Sequence, residues 1–240
     1  MTALLSLHGV SKSYGAVKVT DDITLAVAQG ETLGILGPNG AGKTTLFNLI
    51  SGDVRVDAGR VEYDGRDVTA LAPHQRCRAG IGRSYQVPQP FGHMTVFENL
   101  VTAACFGGNE PEDAAWETAA QVLEETGLKA QANKLAGSLT LLNRKRLELA
   151  RALATKPNLL LLDEIAGGLT EHEARELVDE LRRIKAQGVT MIWIEHVVHA
   201  LLSIADRLFV INFGLKLAEG EPRSVMDDPE VRRVYMGMDA

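Results

Sequence analysis

Cysteine is scarce in this chain: Cys77 and Cys105 are the two in 240 residues. Two thiols make no disulfide framework and are expected to be free in a reducing compartment. Long apolar runs are also missing, and none reaches the ~20 residues that a helix needs to cross a bilayer. The first residues, Met1-Thr2-Ala3-Leu4-Leu5-Ser6-Leu7-His8, lack the basic segment and long apolar stretch of a secretory signal. Work at a membrane would therefore depend on other subunits for the spans. Basic charge is not in excess: the net charge is −6, which argues against general attraction to nucleic acid and leaves only a local basic patch open. Metal-ligand clusters do not stand out either. His74 lies three before Cys77 without a second ligand pair, and His196 and His199 lack a third ligand, so neither pair is read as a metal site.

What is present is an ordinary globular composition, 45% hydrophobic and 23% charged, in a length that suits one large domain or two small ones. The organising stretch is Gly37-Pro38-Asn39-Gly40-Ala41-Gly42-Lys43-Thr44, which fits the phosphate-binding pattern G-x-x-x-x-G-K-[ST]. Thr32–Leu36 before it reads as a buried strand, and Thr45-Leu46-Phe47-Asn48-Leu49-Ile50 after it as the start of a helix. Glycines let backbone N–H groups close on an anion, and the helix N-terminus adds its positive dipole end. Lys43 is suited to the β- and γ-phosphates and the Thr44 hydroxyl to Mg²⁺. An ordinary glycine turn would not require all eight positions in this setting.

The flanking pattern predicts the rest. Residues 4–12 read as an edge strand, Ile23–Val27 as a second strand, and Gly59–Tyr63 as a third before the Asp64-Gly65 turn. Pro73 opens a short helix, and Ile81–Gln86 reads as a strand leading into a loop with Pro88 and Pro90. From residue 87 to 154 the character is helical: Thr95 caps residues 96–105, Pro111 begins a helix ended by Gly127, and a third helix runs from Leu142 to Ala154. Leu159–Leu162 is a buried strand delivering Asp163 and Glu164. A charged helix over 171–187, a strand over Val189–Ile194, two closing strands and two Pro-initiated helices complete the chain. Alternating strands and helices imply a mostly parallel sheet with ligands at the strand C-termini. Asp163 is positioned to hold Mg²⁺ and Glu164 to polarise an attacking water. Taken singly, such carboxylates also cap helices.

With these residues in place, the chain resembles the ATP-binding subunits of ABC transporters over essentially its whole length, those of branched-chain amino acid uptake above all. The resemblance rests on Tyr14, the Gly37–Thr44 loop, Gln86, Leu139–Arg146, Asp163-Glu164, His196 and the ending Val231–Gly237. It implies a P-loop NTPase core of RecA-like α/β type with an antiparallel β subdomain and an inserted helical subdomain. The core would take residues 1–86 and 155–240, and the helical subdomain 87–154. It further implies that Tyr14 stacks on adenine and that the phosphates are held over Gly37, Pro38, Asn39, Gly40, Ala41, Gly42, Lys43, Thr44 and Thr45. Mg²⁺ would be held by Thr44, Gln86 and Asp163. Glu164, Gln86 and His196 would be the catalytic group, and Thr140 would meet ATP held by a second ATPase, identical or different.

The same resemblance implies membrane-spanning subunits as partners, a solute-binding protein indirectly, no nucleic acid, and a place at the cytoplasmic face of the plasma membrane. Three departures stand out. Leu139-Thr140-Leu141-Leu142-Asn143 replaces Leu-Ser-Gly-Gly-Gln, Ile165 stands where the family has proline, and Thr170 where it carries Asp or Asn. An export-type system and a slowly hydrolysing regulatory subunit remain as alternatives. A soluble ABC protein of translation or DNA repair is less favoured, because paired ATPase domains and coiled-coil insertions are missing.

Overall fold

Leu5 and Leu7 are fully buried, and the strand that carries them is paired on both sides. In the computed structural model, which describes residues 3–236, β1 (Ala3–Tyr14) lies between β2 (Val17–Ala28) and β4 (Ala58–Tyr63), with β5 (Arg66–Asp67) outside β4. Leu7 faces Leu25 on one neighbour and Val61 on the other. The edge-strand reading of residues 4–12 is thus corrected. Loose alternation tells which face is buried but not how many neighbours a strand has.

The chain forms two compact units, residues 1–73 with 192–240, and residues 74–191. The first contains this antiparallel sheet and a parallel pair. All five residues of β3 (Thr32–Leu36) are buried, and it runs parallel to β9 (Arg207–Asn212), with Ile35 opposite Phe209. Burial on both faces is why β3 reads as a continuous apolar run. β10 (Leu215–Gly220) returns antiparallel to β9. α1 (Lys43–Ser51) follows the glycine loop and buries Leu46, Phe47, Leu49 and Ile50. α7 (Val198–Leu202), which the sequence reading passed over, packs Leu201 against the backbone of Gly34, where a Cβ would come within 2.9 Å of it. α8 (Pro222–Asp227) and α9 (Pro229–Met236) close the unit, and Gly237 of the family-like ending lies outside the described residues.

In the second unit β6 (Ile81–Arg83) pairs parallel with β7 (Leu159–Asp163). β6 is shorter than the expected Ile81–Gln86. Ser84 still donates its N–H to Leu161 O at 2.9 Å, and beyond it the chain leaves the ladder. α2 (Pro73–Arg78) leads into this unit, where α3 (Val96–Phe106) starts with the expected Thr95 cap, closed into a capping box by Glu98. α4 (Glu112–Glu125), α5 (Leu141–Leu153) and α6 (Glu171–Ala186) supply the rest of its helical mass, and α5 begins one residue before the expected Leu142. The chain passes back to the first unit within β8 (Thr190–Ile194), whose five residues are all buried.

Candidate functional site

The expected nucleotide-site residues fall in both units. In the first, β3 ends at Leu36 and the loop turns on Gly37 and Gly42. A Cβ at Gly37 would lie 2.2 Å from Ile211 O. One at Gly42 would lie 2.4 Å from Val19 O, and Gly42 also has φ 107°, a left-handed value that favours glycine. Lys43 is buried and folds its ammonium over the loop, donating from Nζ to Gly37 O at 2.7 Å and to Pro38 O at 2.9 Å. Gly42 offers α1 no side-chain cap. The first-turn N–H groups are therefore of the kind that an anion satisfies. Thr44 is exposed and Thr45 half-buried at this end of the helix.

A buttress absent from the sequence reading supports the loop. Gly214, at the β9–β10 turn, donates its N–H to Ala41 O at 3.0 Å and accepts from Asp21 N at 2.8 Å. Tyr14 ends β1 and is 49% exposed, with Lys12 Nζ 5.6 Å from its ring centroid. His196 is exposed after β8. Its backbone is fixed by the buried Glu195, whose Oε1 accepts from His196 N at 2.9 Å and Val197 N at 3.3 Å. The sequence placed Glu195 at a strand end but assigned it no task.

In the second unit four leucines bury β7 completely and carry Asp163 to its end. Asp163 is itself buried, and Arg83 Nη2 approaches its Oδ2 at 3.5 Å. Glu164 follows at φ 47°, the left-handed region that a non-glycine residue enters only at a cost. Its Oε2 accepts from Gln86 Nε2 at 2.5 Å. The structure thus joins two of the three expected catalytic residues, Gln86 and Glu164. Behind them the buried Lys145 of α5 donates to Gln86 O and Glu164 O, a role that nothing in its sequence position announced. Glu148, one turn on, is buried, and that burial pushes its carboxyl above the ordinary range.

The three departures have local structural consequences. Thr140 caps α5, its hydroxyl accepting from Asn143 N at 3.5 Å, while Arg144 ties Leu139 O and Gly137 O together. Leu141, in place of the first glycine, is 47% exposed at the helix start. Ile165 is buried, filling with apolar volume the position where proline was expected. Thr170 caps α6 in a capping box, donating its N–H to Glu173 Oε2 at 2.8 Å. The N–H and hydroxyl of Thr170 hold the Glu173 carboxyl below its ordinary value.

In the first unit the glycine loop, the Lys43 ammonium, the uncapped start of α1 and the Thr44 hydroxyl are groups of the kind that bind a nucleoside triphosphate and its Mg²⁺. In the second, Gln86 and Asp163 carry oxygens of the kind that a hard cation takes.

The ABC transporter family profile matches residues 20–167. The lipopolysaccharide export system ATP-binding protein LptB of Acidithiobacillus ferridurans is 37% identical over 99% of this chain and 98% of its own length. The high-affinity branched-chain amino acid transport ATP-binding protein BraF of Pseudomonas aeruginosa is 34% identical over 98% of both. Among solved structures, the ADP conformation of an ATP-binding cassette of an ABC transporter superposes with a TM-score of 0.88 at 32% identity. That match covers 99% of this chain and 100% of the other. The expected P-loop NTPase fold, with its antiparallel and parallel sheets, is thereby borne out.

Proposed function

This chain belongs to the ABC transporter ATP-binding family, and from that premise we propose that it powers the import of a small solute, with branched-chain amino acids as the substrate class. Members of the family hydrolyse ATP to power transport and work with membrane-spanning subunits. Among the described residues no helix is long and apolar enough to cross a membrane.

The observation that carries the ATPase assignment is the pairing of Gln86 with Glu164 at 2.5 Å, beside a strand-borne Asp163. In the proposed reaction Tyr14 stacks on adenine, and Lys43 with the first-turn N–H groups of α1 binds the β- and γ-phosphates. Glu164 accepts a proton from water as that water attacks the γ-phosphorus, and the bond to the ADP oxygen breaks. Gln86 and His196 orient the water and the γ-phosphate. Mg²⁺, when bound by Thr44, Asp163 and Gln86, supplies charge that offsets the negative charge on the phosphoryl oxygens. Thr140 serves the nucleotide of a second ATPase subunit, so closure of the pair drives the transporter.

The membrane-spanning partners are proposed to dock in the second unit on a groove of about 570 Å³. Phe97 and Trp116 meet edge-to-face there at 5.2 Å, and Trp116 is 53% exposed. A half-exposed aromatic pair beside Met94 and Val101 suits the apolar face of a short helix. The ABC ATPase reading supports a place at the cytoplasmic face of the plasma membrane, with a solute-binding protein as an indirect partner.

Similarity to BraF supports import, and similarity to LptB supports an export reading as the second possibility. Uptake of labelled leucine by cells lacking the chain tests them. Loss of uptake, restored by the wild type and not by Glu164→Gln, supports import. Unchanged uptake together with a defect in outer-envelope lipid delivery supports export.

A further inference from the structure

We propose that Lys145 is a positioning residue for hydrolysis: its ammonium fixes the backbone on which Gln86 and Glu164 stand and ties both to helix α5. The inference rests on the reading of Glu164 and Gln86 as catalytic. Lys145 is only 4% exposed. Its Nζ donates to Gln86 O and to Glu164 O, each at 3.0 Å, across 59 and 19 residues of chain. A cation taken out of water is tolerated where its N–H groups are satisfied, and charge-assisted bonds to carbonyls are stronger than neutral ones. One of these carbonyls belongs to the residue with φ 47°, so the same bond helps to hold Glu164 in a conformation that it would otherwise leave. The side chains of the two clamped residues then meet at 2.5 Å.

Lys145 is the first rung of a ladder. One turn on, Glu148 Oε2 accepts from Gln89 N at 3.4 Å. A further turn on, Arg151 Nη1 donates to Gln89 O at 2.9 Å and its guanidinium lies 5.2 Å from the Phe91 ring centroid. Glu148 and Arg151 are themselves paired at 3.2 Å. Residues three apart share a helix face, so one stripe of α5 grips the loop from Gln86 to Phe91. The N-terminus of α5, the segment from Thr140 to Asn143 proposed to meet the second ATPase, lies within one turn of Lys145. Lys145 is thus the point where a shift at that segment reaches Glu164 and Gln86.

The test measures MgATP hydrolysis by the complex that copurifies with the tagged full-length chain, and binding of a fluorescent ATP analogue to the same preparations. Lys145→Met is expected to lower kcat about tenfold or more while KM and analogue affinity stay within about threefold, and Lys145→Arg to recover most of the loss. A purely structural role would move melting temperature and binding together and would not be rescued by a cation. A kcat within about twofold of wild type, or a KM rise that accounts for the whole effect, overturns the proposal. If the Met variant shows no cooperative melting, Lys145→Gln carries the test. Its shorter reach predicts a kcat several-fold lower at unchanged KM, and an unchanged kcat overturns the proposal. Glu164→Gln in the same assay separates the two readings. If it retains turnover, the catalytic reading of Glu164 falls. If it abolishes turnover while Lys145→Met does not lower it, only the Lys145 proposal falls.

Discussion

Gln86 Nε2 donates to Glu164 Oε2 at 2.5 Å although 78 residues separate them in the chain. A loop amide and a carboxylate just past a strand end are held as one unit.

Glu164→Gln removes the proposed proton acceptor but keeps the shape. MgATP turnover is expected to fall about a hundredfold or more with nucleotide binding retained. Gel filtration of this variant with MgATP then reads the partner. A stable dimer of this chain alone means that Leu139–Asn143 closes on ATP in a symmetric pair. A monomer that binds ATP means that the second ATPase is a different chain.

Lys43→Ala removes an ammonium that bonds two loop carbonyls at 2.7 and 2.9 Å. Affinity for a fluorescent ATP analogue is expected to drop about tenfold or more, as for loss of a charge-assisted contact to phosphate. Equilibrium titration checks it, and an unchanged affinity would remove Lys43 from the site.

Restoring glycine at Leu141 and Leu142 together removes the exposed Leu141 side chain at the start of α5. The assembled transporter is expected to hydrolyse MgATP several-fold faster, because backbone N–H groups gain closer access to phosphate. A steady-state rate equal to wild type means that the leucines are tolerated at the site.

Arg146 pairs with Glu180 at 2.5 Å and with Glu176 at 2.9 Å, and the Glu180 side chain is 3% exposed. Removing one partner of a buried pair leaves a charge without compensation, so Arg146→Ala is expected to cost about 3 kcal/mol. Burial raises the Glu180 carboxyl and Arg146 only partly offsets it. With the folded value above the unfolded value of about 4.3, the ionised group subtracts from stability at neutral pH, and this loss disappears as pH falls below the unfolded value. The variant enlarges the loss, so its deficit in urea midpoint is expected to be greatest near neutrality and to shrink toward pH 5.

The strand, glycine loop and helix around Lys43 were legible because each is a local signal: a buried run, fixed glycines, then a helical period. The cap at Thr95, a hydroxyl ahead of an apolar helix, was legible for the same reason. β1 was misread as an edge because its second neighbour, β4, lies some fifty residues on. β6 was read too long because nothing local marks where Ser84 stops pairing. Thr170 departs from the family pattern, and only the structure shows that in this chain it builds a capping box with Glu173.

By itself, the sequence determined the family, the glycine loop between β3 and α1 and most of the strands and helices, α7 excepted, since these rest on residue types at short spacings. Only the tertiary structure decided that Gln86 meets Glu164, that Gly214 buttresses the loop at Ala41, and that Lys145 bonds the backbone carbonyls of Gln86 and Glu164 at once. Each of these joins segments far apart in the chain. The pairings follow from where packing brings the backbone, which no short window of residues encodes.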